Sequence, residues 1–449
     1  MTVNVTDLRT KLSTRLQALT GAEDSEDVLA LTVALTNLSS NRFMSVTNYT
    51  DLPDLTTFPM PSGSLVFVEQ FNTMMMSIGT QWKGLEGRVP SLTAYAWGGN
   101  NYGDLGSGTN TTNRSSPVTV VGGITNWSKI SAGHDHSLGV TKTGIVYTWG
   151  KNNFGQLGDN TTTNRSSPVT VIGGITDWSH VSGGYGHSLG VTASGIAYAW
   201  GRNNKGQFGD NTTIDKSSPV TVVGGITNWS QTSAGYLHSI GITTAGIALG
   251  WGYNIFGPVG DGTGSNRSSP VTVVGGITEW KQIFASKHFN VGVTSTGEGY
   301  AWGFNGFGQV GDNTTTTRRS PVTMIGGITN WSTVSAGINH SLGIISSGIA
   351  YAWGFNGYGQ LGDNTTVSKR SPVTVVGGIT NWSQLAGGIN QSLGLTTTGI
   401  AYGWGLNDVG QLGDNTTSSR LSPVTVAGGI TSWSQIASGL NHTLALKVG

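Results

Sequence analysis

The chain has 449 residues, enough for a large core and for two or three domains, with 71 Gly, 15 Trp, no Cys, 10% charged residues and a net charge of +1. Absent cysteine excludes disulfides and thiolate metal sites, and so weak a charge excludes a broad field that attracts nucleic acid or anionic lipid. That much glycine beside Trp, Val, Ile and Thr points to short strands joined by tight turns.

In chain order, the first residues, MTVNVTDLRTKLSTRLQALTG, lack an apolar core behind a basic start, so the sequence predicts no secretory signal. No run approaches the ~18 apolar residues of a membrane span. Over 1–44, Val5, Leu8, Leu12, Leu16 and Leu19 recur at helical spacing, as do Val28, Leu31, Leu35 and Leu38. Ser25 with Glu26 and Asp27 marks the start of the second helix. Each helix is apolar on one side only, which fits a hairpin packed on a partner subunit, and fits a homo-oligomeric bundle or packing on its own domain equally well. Residues 45–88 are Pro-rich and then hairpin-like: "SLVFVEQ" and "TMMMSIGTQWKGL" read as strands around a turn at Phe71-Asn72, with Trp82 in the hairpin core. The N-terminal part is therefore expected to be a small α+β domain, and Val89-Pro90-Ser91 the linker that follows it.

From residue 92 to 449 the chain repeats itself. Trp97, Trp149, Trp200, Trp251, Trp302, Trp353 and Trp404 each precede a Gly, at spacings of 52 once and 51 thereafter. A second series, from Trp127 to Trp433, keeps 51 throughout. Such periods signal a solenoid or propeller. One cycle holds four strand-like runs, "WSKISAG", "HSLGVT", "IVYTWG" and "PVTVIGG", the first three joined by short Gly-bearing turns as in an antiparallel meander. A lone four-stranded sheet has no partner for its apolar faces, and stacking seven around an axis supplies one. The last repeat ends after its second strand, 442–448, and the first begins at its third, 92–98. The reading is a mainly β protein, a seven-bladed propeller of four-stranded antiparallel blades closed by pairing of the propeller termini.

Most repeated residues read as structure. Both Trp series suit blade packing, since a fixed place in every blade is what packing requires. His136, His187, His238, His340 and His442 share one position, which is Phe289 and Gln391 in the two remaining repeats. A metal-binding ring does not tolerate that, so the reading is a strand histidine bonded within its blade. Asp159 and its five counterparts each head a polar loop and read as turn caps rather than calcium ligands. No nucleophile–base–acid set and no phosphate-cradling loop stands out, so no enzyme and no cofactor are predicted.

Variation between repeats is concentrated at one end. The turns between second and third strands are monotonous ("TKTG", "TASG", "TTAG"), as is the "GGIT" connection. The turn between first and second strands is not: His134-Asp135, Tyr185-Gly186, Tyr236-Leu237, Lys287-His288, Ile338-Asn339, Ile389-Asn390, Leu440-Asn441. Nor is the residue after Trp-Gly: Gly99, Lys151, Arg202, Tyr253, Phe304, Phe355, Leu406. Strand parity gathers both series on one face, where a monomer has no packing reason for aromatic residues. Tyr185, Tyr236, Leu237, Lys287, His288, Tyr253, Phe304, Phe355, Leu406, Lys151 and Arg202 are the candidate binding residues.

The wording W-G-x-N-x-x-G-Q-L-G followed by G-x-x-H-[ST]-L resembles the regulator of chromosome condensation repeat family, over about 92–449. That resemblance implies a seven-bladed propeller used as a binding platform. Residues 45–88 resemble the small N-terminal modules of tailed-bacteriophage virion proteins, which attach distal binding domains to the particle. Together these give the leading expectation: a structural phage virion protein of fibre, spike or head-decorating type, made in the host cytoplasm and resident in the particle. Residues 1–88 would anchor it to other virion proteins, and one propeller face would bind a host surface receptor, protein or glycan. No contact with nucleic acid and no membrane insertion are expected. The alternatives are an intracellular propeller regulator of a protein partner, similar to GTPase exchange factors, and a secreted protein inhibitor. Exchange factors of the family insert a wedge between strands, for which uniform 51-residue repeats leave no room.

Overall fold

The computed structural model describes residues 91–449 and, before them, the strands Phe43–Val46, Leu65–Val68, Thr73–Ile78 and Gln81–Gly84. The chain divides into two compact units, Met1–Ser91 and Leu92–Gly449. In the first, the four strands form one sheet in chain order. Val68 pairs with Thr73, which encloses the expected turn at Phe71-Asn72. The strand expected to run on through 73–85 is instead two, and Ile78 pairs with Gln81 across an intervening Gly-Thr. Glycine is a poor strand former, and the break falls there. Phe43–Val46 pairs in parallel with Leu65–Val68. Four residues are too few to show a period, and the sequence did not reveal this strand. The two helices expected within 1–44 lie outside the described residues. Among the described residues no helix is long and apolar enough to cross a membrane.

The second unit is a ring of seven four-stranded antiparallel sheets. Blades I to VI span 127–170, 178–221, 229–272, 280–323, 331–374 and 382–425, each built in chain order from the axis outward. Blade VII is composite: Trp433–Ser438 and His442–Val448 from the end of the chain, then Leu92–Gly98 and Arg114–Thr119. Its central ladder runs from His442 opposite Gly98 to Val448 opposite Leu92. The expected closure is therefore a continuous run of main-chain hydrogen bonds.

Apolar residues are buried between blades rather than within them. Leu138, Val140 and Val146 of blade I pack with Trp178, Val181 and Trp200 of blade II. Equivalent clusters fill the other six junctions, each with two tryptophans from the following blade. The paired rings lie 5.6–6.0 Å apart, a spacing at which tilted aromatic pairs attract beyond their burial.

Polar groups bind the same junctions. The Gly-Gln-Leu-Gly segment after each third strand enters the next blade as a tongue. The carbonyl of Gln156 accepts Trp200 Nε1 at 2.9 Å and Ser188 Oγ at 2.8 Å. Gln207, Gln309, Gln360 and Gln411 do the same for their neighbours. Asp104 and Pro258 stand in for Gln in two repeats and keep the carbonyl's role. Glycine is obligatory at the tongue's tip. Gly158 has φ 70°, and a Cβ there would sit 2.9 Å from Trp200 Nε1.

The histidines also work across blades, which corrects the expectation of a bond within each blade. His136 Nε2 meets Ser188 Oγ of blade II at 2.9 Å, and His187 meets Ser239 of blade III at 3.0 Å. His238, His340 and His442 repeat the arrangement with Asn290, Ser392 and Ser137. Side chains of stacked sheets point at the neighbouring sheet, so the nearest polar partner belongs to the next blade. Gln391 reaches blade VII through Ser438 Oγ, and Phe289 fills its place with apolar bulk. The Asp caps are as expected and more: Asp159 takes the Thr161 amide and hydroxyl, Asn152 Nδ2, and Arg165 of the outermost strand.

Two pH effects follow. Burial pushes His136, His187 and His340 down to about 3, and His238 and His442 to about 4. An unfolded imidazole takes a proton near 6.5, so below that pH the unfolded state binds more protons and stability falls. Each pH unit between about 6 and about 4 costs up to about 1.4 kcal/mol per such imidazole. The thermal midpoint should drop steeply from pH 6.5 to pH 4.5, and a flat profile in calorimetry would contradict the neutral histidine ring. Asp104 behaves oppositely: burial and the nearby Asp135 raise it to about 8, and its Oδ1 is buried without a protein donor. From about pH 4 to 8 it keeps a proton that the unfolded chain releases, so stability falls as pH rises. Asp104→Gln, which restores the residue of most repeats, should raise the midpoint by about 2–4 °C per kcal/mol recovered. That gain should be larger at pH 8 than at pH 5, and an equal gain at both would refute the assignment.

Candidate functional site

The two variable series are clamped together by the backbone. In every blade the residue after Trp-Gly donates its amide to the carbonyl of the second turn residue. Lys151 bonds Asp135, Arg202 bonds Gly186 and Tyr253 bonds Leu237, each at 2.8 Å, and Phe304 bonds His288 at the same distance. Phe355 and Leu406 bond Asn339 and Asn390 at 2.9 Å, and Gly99 bonds Asn441 at 2.7 Å. The turn residues are also locked around the axis. The amides of His134, Tyr185 and Tyr236 donate to Gly184, Gly235 and Ser286 of the next blade at 2.9, 3.2 and 3.2 Å. At blade IV the side chain of Ser286 donates to the Gly337 carbonyl. Rigid backbone thus fixes where each variable side chain emerges.

Those side chains form a continuous aromatic arc. It begins at His134 and passes to Tyr185 (4.6 Å between centroids), Tyr236 (4.1 Å) and His288 (5.7 Å). It continues to Phe256 (5.2 Å), Phe304 (5.3 Å), Phe307 (6.3 Å), Phe355 (5.0 Å) and Tyr358 (6.3 Å). Tyr253 lies beside it, 5.6 Å from His288. Cations sit on its flank: Arg202 lies 4.9 Å from the Phe154 ring and 5.9 Å from that of Tyr185, and Lys287 lies 5.6 Å from that of Tyr236. Such contacts hold the cation without neutralising it. Lys151 differs, because Asp135 binds its ammonium at 3.1 Å and Tyr102 covers it at 4.5 Å. Leu237 and Leu406 are half-buried at the same end. Burial holds His288 down at about 4, so its ring is neutral at physiological pH.

Phe256, Phe307 and Tyr358 escaped the sequence reading. They occupy the place before Gly in the N-x-x-G phrase, which reads Tyr102, Phe154, Lys205, Phe256, Phe307, Tyr358 and Val409 through the repeats. The variation was visible there but sat inside a motif that looked purely structural. Only the backbone of this place is structural: the amides of Phe307 and Tyr358 donate to Gln309 and Gln360 side chains at 2.9 and 3.0 Å. Their rings are left 39% and 43% exposed, available to another molecule.

Two hollows open on this face. The first is the axial funnel, whose mouth is ringed by one turn residue from each blade, with Phe284 also lining it. The second lies beside it among Phe256, His288, Phe304 and Phe307. Lys287 and Ile338 line both. Among the described residues no cluster of His, Asp and Glu could hold a metal ion.

Comparison with known proteins places the repeats. The family described as Regulator of chromosome condensation (RCC1) repeat matches residues 93–140, 143–191, 194–242, 296–344, 347–395 and 398–446. The Ultraviolet-B receptor UVR8 of Arabidopsis thaliana is 31% identical over 328 residues, covering 71% of this chain and 74% of the receptor. The human E3 ubiquitin-protein ligase HERC2 is 29% identical over 61% of this chain, which spans only 6% of the ligase. The solved structures of human WBSCR16 and of Saccharomyces cerevisiae Prp20p share the fold. Each has a TM-score of 0.71 over 80% of this chain, at 22% and 19% identity. These relatives overturn the expectation of a phage virion protein. They come from a plant, an animal and a yeast, and their names describe a receptor, a ligase and a protein with binding properties to Gsp1p and histones. Nothing in them supports anchoring to other virion proteins through residues 1–88, a host surface receptor, or residence in a particle. The virion likeness of 45–88 rested on composition and a hairpin, which many small modules share. The chain belongs to the RCC1 repeat family.

Proposed function

We propose that the protein is an intracellular propeller regulator that acts by binding a protein partner on the face carrying the aromatic arc. The observation that carries this reading is the arc itself, from His134 to Tyr358, a continuous run of half-buried rings at one rim that ends in the exposed rings of Phe307 and Tyr358. Aromatic residues with neighbouring cations are the usual anchors of protein interfaces. Membership of a family whose relatives include a receptor and a protein with binding properties to Gsp1p and histones supports a regulatory role over a catalytic one. Ubiquitin ligation is not part of the proposal, because the chain matches only a small share of the ligases. Nucleotide exchange is not part of it either, since likeness to Prp20p at 19% identity concerns the fold.

The test is affinity capture from extract of the source cells with two baits, the natural protein and a variant with Tyr236, Tyr253, Phe304 and Phe355 replaced by Ala. Each truncation removes about 2 kcal/mol of binding. Partners held by the natural bait should therefore be lost from the variant, whose cooperative thermal unfolding should persist. Identical sets on both baits, or no partner on the natural bait, would contradict the proposal.

A further inference from the structure

The funnel and the aromatic hollow differ in their walls, and the residue between them bears an uncompensated charge. One side of the funnel mouth is His134, Tyr185 and Tyr236, the other is Ile338, Ile389 and Leu440. Phe284 is among the lining residues and stands where the other blades have Ser131, Ser182, Ser233, Ser335, Ala386 and Ala437. One bulky apolar residue thus lines this cup where the other blades place small ones. The second hollow is walled by Phe256, His288, Phe304 and Phe307, with Lys287, Ile338 and Asn339 completing it. Lys287 belongs to both, has a ring contact with Tyr236, and has no carboxylate partner among the described residues. Arg202, on the flank of Tyr185, has none either. The carboxylate of Asp135, in the turn beside His134, is already held by His134 and Lys151 at 3.0 and 3.1 Å.

We infer that this face recognises a peptide segment in which an acidic residue is flanked on both sides by bulky apolar residues. The inference rests on the protein-binding reading above and specifies the partner's chemistry. One apolar side chain enters the cup against Phe284 and the aliphatic wall. The carboxylate meets Lys287 on the ridge. The second apolar side chain stacks among Phe256, Phe304 and Phe307, and further acidic residues on the segment's other end face Arg202. Charge complementarity selects the acidic residue: a basic one would place two cations together at a half-buried site, which is repulsive and costly to desolvate.

Selection from a random dodecapeptide library, displayed on yeast and presented to the intact protein, tests this. The expected result is enrichment of peptides with Asp or Glu between large aliphatic or aromatic residues. In calorimetric titration, Lys287→Ala should weaken the selected peptide by about ten-fold, as loss of a charge-assisted contact does. Lys287→Glu should abolish its binding and, in a fresh selection, enrich Lys or Arg at the central place. Phe307→Ala should weaken the peptide while leaving the central acidic preference intact. Both Lys287 variants should unfold at the natural midpoint, since the half-buried ammonium has no carboxylate partner among the described residues, and a thermal scan checks this. Neutral or basic consensus peptides on the natural protein would overturn the inference while leaving the face as a protein-binding surface. Acidic peptides indifferent to Lys287 would overturn it as well. Loss of the whole interaction face would show instead in the four-aromatic variant described above.

Discussion

At each of the seven junctions one main-chain carbonyl receives an indole N–H and a second side-chain donor from the next blade, a hydroxyl in six, as at Gln156, and the Asn290 amide at Pro258. Everything else in the ring depends on this contact. The tongue that carries the carbonyl reaches it only because Gly158 adopts positive φ beside the Trp200 ring. The indole it receives is one of two that fill the apolar junction, and the hydroxyl in turn meets the preceding blade's histidine. The carbonyl with two donors, the indole N–H with its acceptor and one nitrogen of the neutral imidazole are satisfied in a low-dielectric seam, while the Nδ1 atoms of His136, His187, His238 and His340 are buried there without a protein partner. Because the same seam recurs around the circle, the blades are held by their neighbours rather than by their own sheet alone.

That arrangement separates stability from recognition. The seam uses the residues that do not change from repeat to repeat, and the side chains at one rim are left free to differ. Where the seam itself departs from its pattern, the rim departs too. Pro258, Phe289 and Asn290 replace Gln, His and Ser around blades III and IV. The same stretch carries Tyr253, Phe256, His288 and Phe304, the densest part of the aromatic arc. Asn290 still donates to the Pro258 carbonyl, so the junction is preserved with altered chemistry while the rim above it becomes apolar. Asp104 is another departure, placing a buried carboxyl next to the His134–Asp135–Lys151 cluster at the rim.

The fold was legible because a period of 51 residues imposes one geometry seven times, and because half a blade at each end of the repeats has only one way to be completed. The histidine partners were not legible. Sequence adjacency suggests contacts within a sheet, and the partner of His136 lies 52 residues on, in the next blade. Tyr236 and Phe304 could be placed on the variable rim because their variation stood against monotonous turns at the other end. Phe256, Phe307 and Tyr358 could not, because one position of a repeated phrase serves the fold through its backbone and the surface through its ring. The N-terminal strand Phe43–Val46 was hidden for a different reason, being a parallel pairing with a distant segment that leaves no local pattern.

Hydrogen exchange on the protein alone and bound to its captured partner measures the central claim, that the seams hold the ring while one rim does the binding. The account predicts slowed exchange at the turns around 134–135, 185–186, 236–237 and 287–288 and in the segments after each Trp-Gly, with the seam strands equally protected in both states. Protection centred on the opposite turns, around 142–145 and 193–196, or a general tightening of the seams on binding, would contradict it.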